Sequence, residues 1–224
     1  MRPFALPLVD GVLKRRHRRF LADVRLRTGH VVTAHCPNPG AMTGLAEPGS
    51  AVLLSRSDAP HRKLPYTWEL VRVGRIWVGV NTAVANRVVG RWLETGQLLP
   101  GYRTVRREVA RGRSRFDFAL DDRCLVEVKS VTLRVDGVGA FPDSITTRGR
   151  RHVETLARLE DVRRVLVYFV ARADVSAVRP ADEIDPAYGR ALRRAVRAGV
   201  EVVAVQARFT RRGVRKGPEL EVIV

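Results

Sequence analysis

Cysteine is scarce. The 224 residues hold two, Cys36 and Cys124, too few for the disulfide framework of a small secreted domain. No apolar run approaches the roughly 18 residues that a membrane span needs. The opening Met1-Arg2-Pro3-Phe4-Ala5 lacks the apolar centre of a signal peptide. These absences lead to the expectation of a soluble, cytoplasmic chain with no membrane partner. Lysine is also rare, at Lys14, Lys63, Lys129 and Lys216 only, while arginine supplies the other 37 basic residues. So extreme a skew reflects genome composition in part. Acidic residues are few as well, 23 against 41 basic ones, and codon bias towards arginine does not explain that shortage.

What is present is a globular balance, 45% hydrophobic and 29% charged, with a formal net charge of +18. Such an excess suits a polyanion, because neutralising phosphates releases their counterions. A membrane-surface protein would gather its basic residues on one amphipathic helix, and here they run throughout the chain. Nucleic acid is the partner class that the charge favours, and RNA remains open beside DNA.

The chain divides near residue 80. From Arg19 to Val80 short alternating runs are separated by turn residues: Phe20 to Leu26, Val31 to Ala34, Ala51 to Leu54, Thr67 to Val73 and Ile76 to Val80. Five short strands in this space predict a small closed barrel of the OB type over residues 1–80. A plain structural barrel is the alternative. Residues 81–224 read differently. Helices are expected at Thr82–Glu94, Thr147–Leu159 and Pro186–Gly199, with strands at Thr104–Val109, Arg115–Leu120, Cys124–Thr132, Arg164–Val170 and Val200–Val205. The run Val165 to Val170 is apolar throughout, as in a strand buried on both faces. The prediction is a mixed α/β domain behind a β-barrel, α+β overall.

One constellation carries chemistry. Arg115-Phe116-Asp117-Phe118 is followed, after a turn at Asp121-Asp122-Arg123, by Glu127-Val128-Lys129. Alternation puts Phe116, Phe118 and Leu120 on one strand face and Asp117 on the other. On the next strand Val126 and Val128 oppose Glu127 and Lys129. Pairing as a hairpin therefore brings Asp117, Glu127 and Lys129 to one surface. Two adjacent carboxylates repel unless a cation sits between them. With the backbone carbonyl of Val128 and water they suit Mg²⁺, or Mn²⁺ in its place, and Lys129 can act on the water or on a phosphate. A salt-bridged polar face on a hairpin is the bland alternative.

This spacing resembles the PD-(D/E)xK nuclease core. The blocks His35-Cys36-Pro37-Asn38-Pro39-Gly40, Arg62 to Leu70, Val80-Asn81-Thr82, Glu127 to Leu133, Phe141-Pro142-Asp143-Ser144 and Thr147 to His152 occur in order across nearly the whole chain. Together they resemble the sugar fermentation stimulation protein A family. That resemblance implies an OB-like N-terminal domain, a nuclease-like C-terminal domain and DNA binding. Position 39 is Pro where Thr is expected in many relatives.

Each block also has its own physical reading. Pro37-Asn38-Pro39-Gly40 cannot continue a strand or helix and must form a shaped loop. Asn38 is a candidate phosphate contact there, and a structural loop is an equal alternative. Arg62 and Lys63 beside Tyr66 and Trp68 combine charge with flat rings, and the two cations are favoured as contacts over the rings. Arg87, Arg115, Arg148 and His152 complete the candidate DNA contacts, the last two one turn apart on a helix. Asn86 stands on the first helix where nucleases of this type often carry an acid, and Glu94 is the only carboxylate on that helix. No zinc spacing, nucleophile elbow, phosphate loop or dinucleotide fingerprint is present. Two functions follow from these readings, a metal-dependent nuclease acting on double-stranded DNA held by its phosphates, and a non-enzymatic DNA-binding regulator. A homodimer is compatible with either.

Overall fold

The computed structural model describes residues 1–112 and 114–224. Six strands open the chain: β1 (Val9–His17), β2 (Leu21–Leu26), β3 (Val31–His35), β4 (Ala51–Arg56), β5 (Tyr66–Val73) and β6 (Ile76–Gly79). β1 pairs with β2, β2 with β3, β3 with β5, β5 with β4 and β4 with β1. The circuit closes, so the five strands form the expected OB-like barrel and leave no free edge. Leu13, Ala22, Val24, Ala34, Trp68 and Val71 fill it. The indole N–H of Trp68 donates to the Leu70 carbonyl at 3.0 Å, which satisfies its polar atom inside the core.

One strand count differs from expectation. The run Ile76–Val80 is not the fifth barrel strand. That place belongs to β1, whose Lys14, Arg15 and Arg16 hide its alternation. β6 forms the expected hairpin with β5 outside the closed circuit, and its Trp77 also pairs with Phe209 of a strand in the second domain.

The rest of the chain comprises α1 (Ala83–Glu94), β7 (Val105–Arg111), β8 (Ser114–Leu120), β9 (Cys124–Val131), β10 (Leu133–Val135), β11 (Val138–Phe141), α2 (Thr147–Arg158), β12 (Arg163–Val170), β13 (Ala177–Pro180), α3 (Pro186–Arg197), β14 (Glu201–Thr210) and β15 (Gly213–Val222). β7, β8, β9, β12, β14 and β15 lie side by side. β9, β12 and β14 run parallel, and the crossovers between them carry α2 and α3. Leu166, Tyr168 and Val170 of β12 pack under α2 and α3, while Val165, Val167 and Phe169 face α1. The apolar run is thus buried on both sides.

α1 sits between the two domains. Its Val84, Val88, Trp92 and Leu93 share one core with Leu53 and Leu70 of the barrel and with Phe118, Val126 and Val167 of the sheet. This shared core fixes the barrel against the carboxyl ends of the parallel strands, where α/β sheets usually hold ligands. Among the described residues no helix is long and apolar enough to cross a membrane.

Candidate metal and phosphate site

β8 and β9 form the expected hairpin, with Phe118 opposite Val126, Ala119 opposite Leu125 and Leu120 opposite Cys124. Backbone pairing stops there. Beyond it the Asp117 carboxylate takes over the ladder, and its Oδ2 accepts the Val128 amide at 2.7 Å. Strict alternation also fails at this point, contrary to expectation. Phe116 packs in the core under α2 and α3, whereas Phe118 and Leu120 belong to the core around α1. The physical reason lies in the neighbouring strands. β9 separates from β8 after Phe118, and on β7 Glu108, between the residues paired with Phe118 and Phe116, is in the left-handed region at φ 53°. Asp117 consequently sits in the opening between strands and reaches α1, where the Asn86 amide donates to its Oδ1 at 2.5 Å.

Glu127 lies deeper. Its Oε1 receives two donors, Lys129 Nζ at 2.5 Å and His152 Nδ1 of α2 at 2.5 Å. Its Oε2 is buried and has no hydrogen-bond partner among the described residues. Burial pushes Asp117 up to about 6, helped by the negative charge of Glu127 and opposed by the Val128 amide and Lys129. Burial also works against ionised Glu127, but the His152 hydrogen bond and the Lys129 charge outweigh it and hold the carboxyl below its usual range. One carboxylate is therefore firmly ionised while its neighbour is held back from ionising by environment and repulsion.

These residues fit a hard divalent cation. A buried carboxylate oxygen without a partner is costly, and an ion near it removes that cost. The same charge would reverse the repulsion that lifts Asp117. No group of three His, Cys, Asp or Glu among the described residues can hold a metal. The ion would rest on Asp117, Glu127, the Val128 carbonyl and water, a sparse oxygen set of the kind Mg²⁺ accepts. Glu94 is not a ligand, since Arg107 holds it at 2.7 Å.

Val128, Lys129 and Asn86 open into a cleft of about 480 Å³ between barrel and sheet. Its barrel wall is the loop Pro37 to Gly40. Arg16 Nη2 donates to the carbonyls of Asn38 and Gly40 at 2.8 and 2.9 Å, and Arg19 Nε donates to that of Pro39 at 2.8 Å. On the opposite wall Asp143 accepts the Met42 amide at 3.2 Å across the domains. A Cβ on Gly40 would collide with the Asp143 carboxylate, at 2.1 Å from its Oδ2. The α2 N-terminus completes the rim, with Thr146 as its cap and Arg148 exposed on its first turn. Unpaired N–H groups at a helix start favour an anion.

The candidate phosphate contacts do not all gather here. Arg148 lines the cleft. Asn38 lines it too, but its amide is committed to the loop: Nδ2 donates to the Val80 carbonyl at 3.1 Å and Oδ1 accepts the Gly40 amide at 2.9 Å. The structural alternative holds for its side chain. His152 is corrected outright. It is 4% exposed, against the edge of Phe116, and it holds Glu127 rather than facing solvent. Gly149, His152, Val153 and Leu156 form one buried helical stripe, and that spacing was the available signal. Arg87 and Arg115 are exposed and do not line the cleft. Arg62 is half-buried on Thr67 at 2.8 Å, while Lys63 beside it is exposed. Sequence reasoning overlooked Arg16, Arg19 and Asp143, which shape the cleft by gripping backbone.

The comparisons with known proteins agree with this architecture. Residues 15–80 match the SfsA N-terminal OB domain, and residues 83–213 match the sugar fermentation stimulation protein RE domain. A sugar fermentation stimulation protein homolog of Geobacter sulfurreducens is 52% identical over 196 residues, 84% of each chain. One from Rippkaea orientalis is 46% identical over 200 residues, 84% of this chain and 83% of the relative. Among solved structures, that of Pyrococcus furiosus SfsA in complex with Ca²⁺ superposes over all of both chains with a TM-score of 0.90 at 26% identity. The closed barrel, the α/β domain and the hairpin carrying Asp117 and Glu127 thus sit in a chain that belongs to the sugar fermentation stimulation protein family.

Proposed function

We propose that this protein binds double-stranded DNA in its interdomain cleft and hydrolyses a phosphodiester bond with a divalent metal ion, Mg²⁺ or Mn²⁺. The observation that carries this reading is the buried Glu127 Oε2, without a hydrogen-bond partner among the described residues, on a carboxylate whose other oxygen holds Lys129 and whose charge lifts Asp117, beside a cleft lined by Arg19, Lys129 and Arg148. The relative from Pyrococcus furiosus is described with Ca²⁺, a hard cation that prefers the same oxygen donors.

Asp117 and Glu127 hold the ion together with the Val128 carbonyl. When bound, the ion supplies positive charge to the phosphate and lowers the pKa of a coordinated water. Lys129 contributes its own charge where the phosphate oxygens gain negative character. His152 and Lys129 fix Glu127 Oε1, so that Oε2 is left for the ligand. Arg148 and the α2 N-terminus receive a neighbouring phosphate.

A second reading has one observation in its favour. Asn86 stands where a third acidic ligand would strengthen the site, and its amide is spent on Asp117. A sparse site of this kind suits a DNA-binding regulator that does not cut. The test is incubation of supercoiled, linear and branched DNA with Mg²⁺ or Mn²⁺. Cleavage is expected in at least one form, reduced by roughly 100-fold or more in Lys129→Ala, in line with loss of a charge-stabilising group. Intact DNA in every form with the wild-type protein would leave the regulator.

A further inference from the structure

A second concentration of positive charge lies outside the cleft, where the two domains meet on another surface. β14 and β15 form a hairpin whose two-residue tip is Arg211-Arg212. Within nine residues, Arg208 to Lys216, there are five basic side chains and no acidic one. The register sets Arg208 directly opposite Arg215. Like charges facing each other across a strand pair are destabilising, and neither arginine has an acid between them to relieve it. Arg211 is bound to Asp10 at 2.5 Å and Lys216 lies 3.5 Å from Glu219, but Arg75, Arg212 and Arg215 make no side-chain ion pair among the described residues. Arg75, half-buried Trp77, Arg208, Arg212, Arg215 and Lys216 line an open groove of about 860 Å³ beside the single β6–β14 pairing. It shares no lining residue with the catalytic cleft.

We infer that this groove is a second phosphate-binding surface for duplex DNA, used together with the cleft and separate from the chemistry. It takes its partner from the reading above. The repulsion between Arg208 and Arg215 is tolerated in the free protein and relieved when a phosphate sits over the pair. Contacts to phosphate carry no base information, so the surface raises affinity uniformly and does not select sequence. One long duplex would then span both basic faces of the chain.

The test uses the full chain without divalent metal, so that cleavage does not enter. Binding of duplexes of different lengths is followed against salt concentration for the wild type and for the triple variant Arg75→Ala, Arg212→Ala, Arg215→Ala. The log–log slope should fall by about two to three for a long duplex, one for each lost phosphate contact, and equally for unrelated sequences. A duplex too short to reach both faces should show a smaller change. Arg212→Lys with Arg215→Lys should retain the slope. Thermal unfolding of the alanine variant should match or exceed that of the wild type, because a like-charge pair is removed. An unchanged slope on the long duplex overturns the proposal. So does binding to anionic vesicles that falls in the triple variant while duplex binding stays constant, since the groove would then serve a lipid surface. The nuclease reading fails separately, by intact DNA in the presence of metal.

Discussion

His152 shows how much of this site depends on a side chain that is almost wholly buried. Its Nδ1 bond to Glu127 Oε1 duplicates the Lys129 contact on the same oxygen and so fixes the rotamer of the carboxylate. Removing it in His152→Ala should weaken Mg²⁺ or Mn²⁺ binding by roughly 10- to 100-fold, the usual cost of losing a residue that orients a ligand. His152→Asn keeps a short N–H donor on the same stripe and should recover most of that loss. Calorimetric titration decides the matter, and equal affinities for wild type and His152→Ala would end the orienting role. A different buried carboxylate, Glu69, gives a pH signature away from the proposed metal site. Burial pushes it up, against hydrogen bonds from Ser55 at 2.6 Å and Asn81 at 2.7 Å and the more distant charges of Arg87 and Arg62. With its folded pKa above the unfolded value, the folded state holds the proton longer. Stability therefore falls as pH rises from about 4.5 through the folded pKa, then levels off. Glu69→Gln should flatten that segment of the denaturation profile relative to wild type. Parallel profiles for the two proteins would show that Glu69 ionises without cost.

At the scale of elements, what could be read in advance depended on how strongly each segment repeats. α1 was legible because Val84, Val88 and Trp92 recur at helical spacing, and β12 because six consecutive apolar residues leave no other reading. β1 was missed because Lys14, Arg15 and Arg16 interrupt its alternation, and β15 because Gly217 and Pro218 lie within a strand that is buried only at Gly213 and Val214. The hairpin of β8 and β9 followed from turn and spacing, yet the placement of Asp117 between strands did not. No residue pattern records that β9 parts from β8 after Phe118, since that separation is set by packing against α1 and α2. The loop that ends at Tyr66 illustrates the same limit. Arg62 and Lys63 look equivalent in sequence, but Arg62 is spent on Thr67 while Lys63 is exposed and makes no ion pair among the described residues. Replacing both with alanine should consequently lower the salt slope of duplex binding by about one, not two. A salt titration with Lys63→Ala alone should give nearly the same change. If Arg62→Ala instead carries the larger share, Thr67 releases the guanidinium on binding.

For the whole molecule the deciding feature is that barrel and sheet have no separate boundary layer. Leu53 and Leu70 project from the barrel into the same apolar cluster as Trp92 of α1 and Phe169 of the sheet, with the Trp92 and Phe169 rings 5.7 Å apart. The Asp143 contact to Met42 and the Gly79 amide, which donates to the Ala171 carbonyl at 2.9 Å, add polar ties across the same junction. Two domains that each completed their own core would unfold in two steps, as linker-joined units do. A core shared in this way makes each half incomplete without the other. The chain should therefore show one cooperative transition in calorimetry, with calorimetric and van't Hoff enthalpies in agreement. Trp92→Ala should lower it by about 3 to 5 kcal/mol, the cost of emptying a large aromatic site, and should shift barrel and sheet probes together. Trp68, in the barrel core, and Tyr168, under α2 and α3, are native reporters for the two halves. A variant in which the Trp68 signal holds its midpoint while the Tyr168 signal moves would separate the domains. The cleft between them would then be a hinge instead of a rigid wall for the proposed metal site.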